Sequence, residues 1–298
     1  MKLPEGNPRP REGINASESS GLGEFFALAF GLIVAAVVLA AILAFAGSWL
    51  APLIPFRWEQ SVVGSFPANS ISQYPRAEAE LQQLADELAA HEGLPKGMTV
   101  HVHLIGRTRP NAFATLGGQI FVTRGLLKRI SSENALAMVL AHEIGHVKHR
   151  DPIRSLSSGA IFGLLWAVLL GSSGQSAMTQ LFGSAGLMTR LKFTRGMEAA
   201  ADQTALAALR RVYGSDCGAG EFFRKPQEVG DQPEWSVFMR THPLTQDRLV
   251  MIGKANAEHP PVRLRALPPA IAKLSNASKE PPMGCTHREL ETGRSLKE

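Results

Sequence analysis

The chain has 298 residues, 45% of them apolar and 19% charged, with a formal net charge of +5. That length suits one large domain or two small ones, and the composition excludes both a disordered chain and one embedded in lipid throughout. No dense Lys/Arg run is interleaved with aromatics, so the basic balance reads as a solvated surface and gives no basis for nucleic-acid binding.

Residues 1–24, rich in Pro, Gly, Glu and Ser and without an apolar period, read as a flexible tail. Phe25 to Phe56 follows, thirty-two residues without a charge. A helix needs about 20 apolar residues to cross a bilayer, so this segment reads as a transmembrane anchor. Trp49 and Trp58 suit the headgroup region at its far end. Ala44-Phe45-Ala46 resembles a signal-peptide cleavage site, but the run starts late and exceeds the usual apolar region of about 7–15 residues. An uncleaved anchor is therefore the reading. Lys2, Arg9 and Arg11 precede the span while only Arg57 and Arg76 follow closely, a small bias towards a cytoplasmic N-terminus and a domain on the outer face.

Beyond the anchor, Tyr74 to Glu92 carries Leu81, Leu84 and Leu88 at helical spacing. Met98 to Ile105 alternates as a strand, with Val100, Val102 and Leu104 on one face; His101 and His103 point the other way and read as exposed strand residues. Asn111 to Val122 reads as two short strands around Gly117-Gly118, a pair that supplies the positive φ of a tight turn. Ser131 or Ser132 then caps a helix from Glu133 to about His149. Ser155 to Thr189 is a second uncharged stretch, thirty-five residues broken by six glycines. A helix from about Thr194 to Val212, a Gly/Pro-rich loop from Gly214 to Trp235 and a helix starting near Pro243 complete the domain. From residue 275 to 298 the chain is polar and reads as a disordered tail. The two cysteines, Cys217 and Cys285, form no CxxC pair, which excludes a cysteine zinc site. They could pair in an oxidising space, but the place of Cys285 in the polar tail argues against it.

The chemistry centres on His142-Glu143-Ile144-Gly145-His146. Positions i and i+4 share one helix face about a turn apart, so two imidazoles there can bind one zinc ion. The intervening Glu143 is placed as general base towards a water activated by that ion. A catalytic zinc takes three protein ligands and keeps one open position, so a further donor must come from another element. Glu198 is the best candidate. It lies with Asp202 at i, i+4 in Glu198-Ala-Ala-Ala-Asp202, where the alanines allow close packing on the first helix. Asp202 can accept the N–H of a ligating histidine and fix its tautomer. An acidic stripe facing water is the plainer alternative for the pair. His149 shares the face of His142 but stands about 10 Å further along the axis, too far for the same ion.

At this point the chain resembles the HtpX/CAAX-prenyl-protease family of membrane-associated gluzincin metallopeptidases, nearest its single-anchor Oma-type and periplasmic quality-control members. Four blocks carry the likeness: NAFATLGGQIFVTRGLL (111–127), AHEIGHVKHRD (141–151), EAAAD (198–202) and HPLTQDR (242–248). The resemblance implies one zinc ion held by His142, His146 and Glu198, with Glu143 as base and Asp202 supporting the site. It implies that His242 and Arg248 line the cleft, His242 being the first choice for stabilising the oxyanion, against the plainer alternative of a His-Pro helix start with Arg248 in a structural ion pair. Asn111 and Ala112, at an edge strand, would bind substrate backbone by β-augmentation. The single strong span departs from the two of HtpX. It favours a bacterial inner-membrane protein with a periplasmic domain. The expected fold is mainly α with a small β-sheet (α+β), the peptidase domain spanning 70–274. Expected partners are polypeptides, misfolded or membrane-associated, and the lipid bilayer.

The zinc ligands constrain the stretch 155–189. His142 and Glu198 flank it and must meet at one ion, so it crosses a bilayer zero times or twice. Thirty-five residues are too few for two crossings, which predicts an apolar hairpin packed on the domain or dipping into one leaflet. Two rival functions remain. A non-catalytic chaperone or adaptor of the same fold expects a missing base or ligand; a CAAX-processing enzyme expects a large multi-span chamber.

Overall fold

The computed structural model describes residues 21–63, 73–156, 193–221, 242–243, 245–257, 262–276 and 283–285. The expected N-terminal tail up to residue 20, the apolar hairpin from residue 157 and the loop from residue 222 lie outside them.

Helix α1 spans Gly21–Leu50 and is long and apolar enough to cross a membrane; none of its most apolar window is buried in the protein. It begins before the expected Phe25 and ends before Phe56, because the prolines at 52 and 55 cannot continue an α-helix. The chain instead makes a 3-10 turn at Ala51–Leu53 and helix α2 at Phe56–Val63. Ala51 and Phe56 are buried against the domain, so the last residues of the uncharged run belong to the fold and not to the anchor.

Helix α3 (Pro75–Glu92) opens with proline at its first turn and stops at Gly93, which adopts a φ of 66° that glycine alone accepts freely. Leu81, Leu84 and Leu88 are buried as their spacing predicts. Strands β1 (His101–Ile105), β2 (Ala112–Ala114) and β3 (Gln119–Thr123) form one mixed sheet in the order β1-β3-β2. β1 runs parallel to β3 in the register His101↔Gln119, and β2 runs antiparallel with Ala114↔Ile120. Gly117 and Gly118, at φ 66° and 75°, make the turn between β2 and β3.

The two sheet edges differ. Side chains of α3 cap the outer edge of β1: Val102 N–H donates to Gln82 Oε1 at 2.8 Å and Leu104 N–H to Glu78 Oε2 at 2.7 Å. On the other side, Thr115 N–H bonds Gln119 O and Thr123 N–H bonds Asn111 O. In an antiparallel pair that turns the odd residues of β2 towards β3 and leaves Ala112 and Ala114 facing outward. This edge lies against the helix that carries the histidines.

After the short α4 (Arg124–Leu127), helix α5 (Glu133–Lys148) is capped by the hydroxyl of Ser132, which accepts from Ala135 N–H at 3.2 Å. Residues Asn134 to Val147 of α5 are all buried, which makes this helix the axis of the domain. Helix α6 (Arg195–Tyr213) starts at the cap Thr194 and packs along it. The approach is close: a Cβ at Gly145 would lie 3.1 Å from Ala201 Cα. The alanines between Glu198 and Asp202 thus do what their size predicts. Helices α7 (Gln246–Ala257) and α8 (Pro269–Ala272) complete the helical layer, and Val262–Arg263 (β4) pairs with Met283–Gly284 (β5). That pairing corrects the expectation of a wholly disordered tail. Cys217 and Cys285 form a disulfide across a separation of 68 residues, both buried beside Leu264. The tail's polarity concealed a two-residue ladder and one half of a crosslink.

Candidate metal centre

Helix geometry brings His142 and His146 to one face, with their Nε2 atoms 3.1 Å apart. Each ring is held from behind by a carboxylate. His142 Nδ1 lies 2.8 Å from Asp202 Oδ1, and His146 Nδ1 lies 2.9 Å from Asp151 Oδ2. An ionised carboxylate only accepts, so each Nδ1 carries a proton, and once the second proton is displaced each Nε2 turns a lone pair inward. Phe193 stacks on His146 at a centroid distance of 3.9 Å and fixes its plane.

From α6, Glu198 places Oε2 3.5 Å from His142 Nε2 and Oε1 3.5 Å from His146 Nε2. Glu198 and Asp202 are both fully buried, which rejects a water-facing acidic stripe. His242 completes the group: its Nδ1 is 3.1 Å from Glu198 Oε1 and 3.4 Å from His142 Nε2. These four side chains form a metal-binding cluster, all donor atoms lying within 4.8 Å of one another. Four ligands held at about 2.0–2.1 Å by a tetrahedral zinc ion would be about 3.3 Å apart. The nearest-neighbour spacings of 3.1, 3.4 and 3.5 Å bracket that value. The donor set therefore fits zinc in chemistry and in size.

The electrostatics agree. Burial alone lowers the basicity of His142, but the carboxylates of Asp202 and Glu198 outweigh it and push it up to about 10. Burial likewise lowers His146, and Asp151 and Glu198 raise it. Burial raises Glu198, yet His242, His142 and His146 hold its carboxyl well below the usual range. The cavity is built to hold positive charge.

Glu143 stands between the histidines. Its Oε2 accepts from Ala114 N–H of the open strand edge at 2.7 Å, while its Oε1 has no hydrogen-bond partner among the described residues. His149 lies outside the cluster, with Nε2 3.5 Å from Thr204 Oγ1.

His242, expected to stabilise an oxyanion beside the ion, is a fourth donor, with Nε2 3.5 Å from Glu143 Oε1. Arg248 takes the place that the ion-pair alternative expects. It is 2% exposed and its fork grips Asp202 at 2.6 and 2.9 Å, with Nη1 2.6 Å from Glu198 Oε2. Asn111 turns its backbone to Thr123, its N–H donating to Thr123 Oγ1 at 2.8 Å, so the outward edge groups belong to Ala112 and Ala114. Asp151 has no role in the sequence reading. Its signal is faint: a lone acid just past the end of α5, five residues after His146.

Fold and donor set together define a metallopeptidase of the HExxH kind. Residues 75–255 match the profile of Peptidase family M48, and the chain belongs to that family. It is 32% identical over 201 residues to a protease HtpX homolog of Acidiphilium cryptum, covering 64% of this chain and 65% of that one. It is 30% identical over 198 residues to the beta-barrel assembly-enhancing protease of Escherichia coli, covering 61% and 39%. To the mitochondrial metalloendopeptidase OMA1 of Arabidopsis thaliana it is 28% identical over 162 residues, covering 54% and 32%. The chain thus spans from 32% to 65% of the length of these relatives.

Proposed function

We propose that this protein is a membrane-anchored zinc endopeptidase that cleaves misfolded or membrane-associated proteins in quality control. The observation that carries the reading is Glu143: buried, beside two imidazoles whose Nε2 atoms converge, with one oxygen tied to the strand edge and the other without a hydrogen-bond partner among the described residues. One zinc ion, held by His142, His146 and Glu198, would polarise a peptide carbonyl and lower the pKa of water. Glu143 Oε1 takes the proton from the attacking water and returns it to the leaving amine. The hydrogen bond from Ala114 aims that carboxylate. Asp202 and Asp151 hold the two imidazoles in the tautomer that leaves Nε2 unprotonated. A substrate in extended form would pair with the outward N–H and C=O of Ala112 and the C=O of Ala114, which read backbone and tolerate many side chains. A catalytic centre keeps one corner for water, so His242 must yield its place for turnover.

Two features support the proposed setting. The exposed Trp49 and Trp58 flank the end of α1, where indoles favour a membrane interface. The Cys217–Cys285 disulfide suits an oxidising space, as a periplasmic domain would meet. All of the expected base and ligand residues are present, against a non-catalytic adaptor.

The test is zinc content and casein cleavage by the purified full-length chain, wild type against Glu143→Gln. Loss of the general base should cost about 10²–10⁴-fold in kcat with zinc retained. A Glu143→Gln protein that cleaves at the wild-type rate sinks the reading. Protease accessibility in intact against lysed cells fixes the side of the membrane.

A further inference from the structure

The segment that joins the apolar helix to the domain is short and is held to it at Ala51, Ile54, Phe56 and Glu59. Eight residues separate Leu50, the last of α1, from Glu59 on α2. Glu59 is 5% exposed, and both of its oxygens are used. Oε1 accepts from Arg150 Nε at 2.9 Å and Nη2 at 2.5 Å, while Oε2 accepts from Gly117 N–H at 2.9 Å. Arg150 also donates from Nη2 to Ile54 O at 2.7 Å, so it grips the elbow twice.

Each partner of Glu59 is one step from the metal centre. Arg150 precedes Asp151, the carboxylate that orients His146. It adopts a φ of 61°, a left-handed backbone that is unfavourable for a side-chain-bearing residue and persists where its surroundings enforce it. That reversal ends α5 and returns Asp151 to the imidazole five residues back. Gly117 belongs to the turn that follows β2, whose Ala114 N–H aims Glu143. The turn is pressed against the elbow: a Cβ at Gly117 would lie 3.1 Å from Gln60 Cα and 3.2 Å from Glu59 O.

We infer that Glu59 is a positioning residue of the metal centre. The elbow 51–63 is then part of the catalytic unit and not a spacer between anchor and enzyme. One carboxylate holds, through separate contacts, the segment that orients a histidine ligand and the turn that orients the base. A consequence follows for the substrate. The centre has no slack tether to α1, so its height above the end of that helix is set by the fold. The inference rests on the zinc-peptidase reading for the meaning of the site, and on the contacts alone for the coupling.

The experiment titrates the metal-depleted full-length chain in detergent with Zn²⁺ against a chromophoric chelator, with kcat measured in parallel. Residues that orient metal ligands cost about 10–100-fold in metal affinity when changed, and Glu59 acts one contact further out. Glu59→Gln, which removes the charge facing Arg150, should weaken zinc binding about tenfold and lower kcat by a similar factor. Should that variant fail to fold, the double variant Glu59→Gln/Arg150→Met removes both buried charges together and is expected to show the same loss. Leu88→Ala, a core cavity on α3, serves as the comparison: it should lower Tm and leave zinc affinity within twofold. Wild-type zinc affinity and kcat in the Glu59 variants overturn the inference, as does an equal loss in Leu88→Ala. Zinc affinity is read whether or not the wild type cleaves peptide, so failure here is distinct from failure of the peptidase reading.

Discussion

Arg248→Met isolates what the buried guanidinium does. Arg248 reaches Asp202 through Nε at 2.6 Å and Nη2 at 2.9 Å, and its Nη1 lies 2.6 Å from Glu198 Oε2 and 3.0 Å from Pro243 O. Methionine replaces most of the stem, so the main loss is the charge and not volume. It leaves Asp202 and Glu198, both fully buried, without their cation. Breaking a buried pair from one side costs about 3–5 kcal/mol. At about 2–4 °C per kcal/mol for a domain of this size, Tm should fall by roughly 6–20 °C in chelator. A bound zinc ion neutralises part of the charge on Glu198, so the loss with zinc should be smaller. Arg248→Lys keeps the charge without the fork and should fall between the two. Urea unfolding followed by far-UV circular dichroism, with and without zinc, measures both values. A loss under about 1 kcal/mol in chelator, or a larger loss with zinc than without, refutes the assignment of Arg248 as the clamp of the acidic pair.

Glu92, 3% exposed at the end of α3, has its carboxyl raised by burial from 4.5 to about 8, against the pull of Lys148, His142 and Arg211. The folded chain keeps that proton where the unfolded chain has lost it, so stability falls as pH rises from 4.5 to 8. By linkage the difference reaches about 3 kcal/mol at pH 7. Glu92→Gln should match wild type near pH 4.5 and exceed it by about that amount at pH 7; equal pH dependence of the two proteins in urea unfolding refutes this. Replacing both Cys217 and Cys285 by serine opens the 68-residue crosslink and should cost about 4 kcal/mol. Thiol titration of protein taken from cells under alkylating conditions should find no free cysteine, and two free thiols would contradict the pairing.

What the sequence makes legible here is what is local. Ser132, the apolar positions of α5 and the i, i+4 histidines lie within sixteen residues and announce a capped, buried helix with a metal-binding face. Glu198 and Asp202 are legible for the same reason, being one turn apart with small residues between. The hairpin at Gly117 is legible through its φ requirement. The remainder depends on contacts between distant segments. His242 joins Glu198 across 44 residues and follows a stretch with no helical or strand period, so its place as a donor has no pattern to betray it. The partnership of Glu59 and Arg150 spans 91 residues, and nothing near either residue marks it. Cys285 sits among polar residues whose composition predicts no order, yet the crosslink and the β4–β5 ladder place it in the fold. Asp151 is the intermediate case: close in sequence, but reached only because Arg150 takes a left-handed backbone that composition does not foretell.

The charges around the centre explain why these distant contacts assemble at all. Glu143, Asp151, Glu198 and Asp202 are each fully buried, and among the described residues only Arg248 brings a buried guanidinium directly onto two of them. Carboxylates in such a setting are strongly unfavourable unless a cation is held among them. The imidazoles are the nearest place for it, which is why His142 binds a proton well beyond its ordinary range. A divalent ion held there by His142, His146 and Glu198 would satisfy more of that charge, at the cost of displacing the proton. Folding and metal binding are then one linked equilibrium. The elbow at Glu59 and the clamp at Arg248 act alike, since each holds an acidic group in place where, without the ion, mutual repulsion would drive the helices apart.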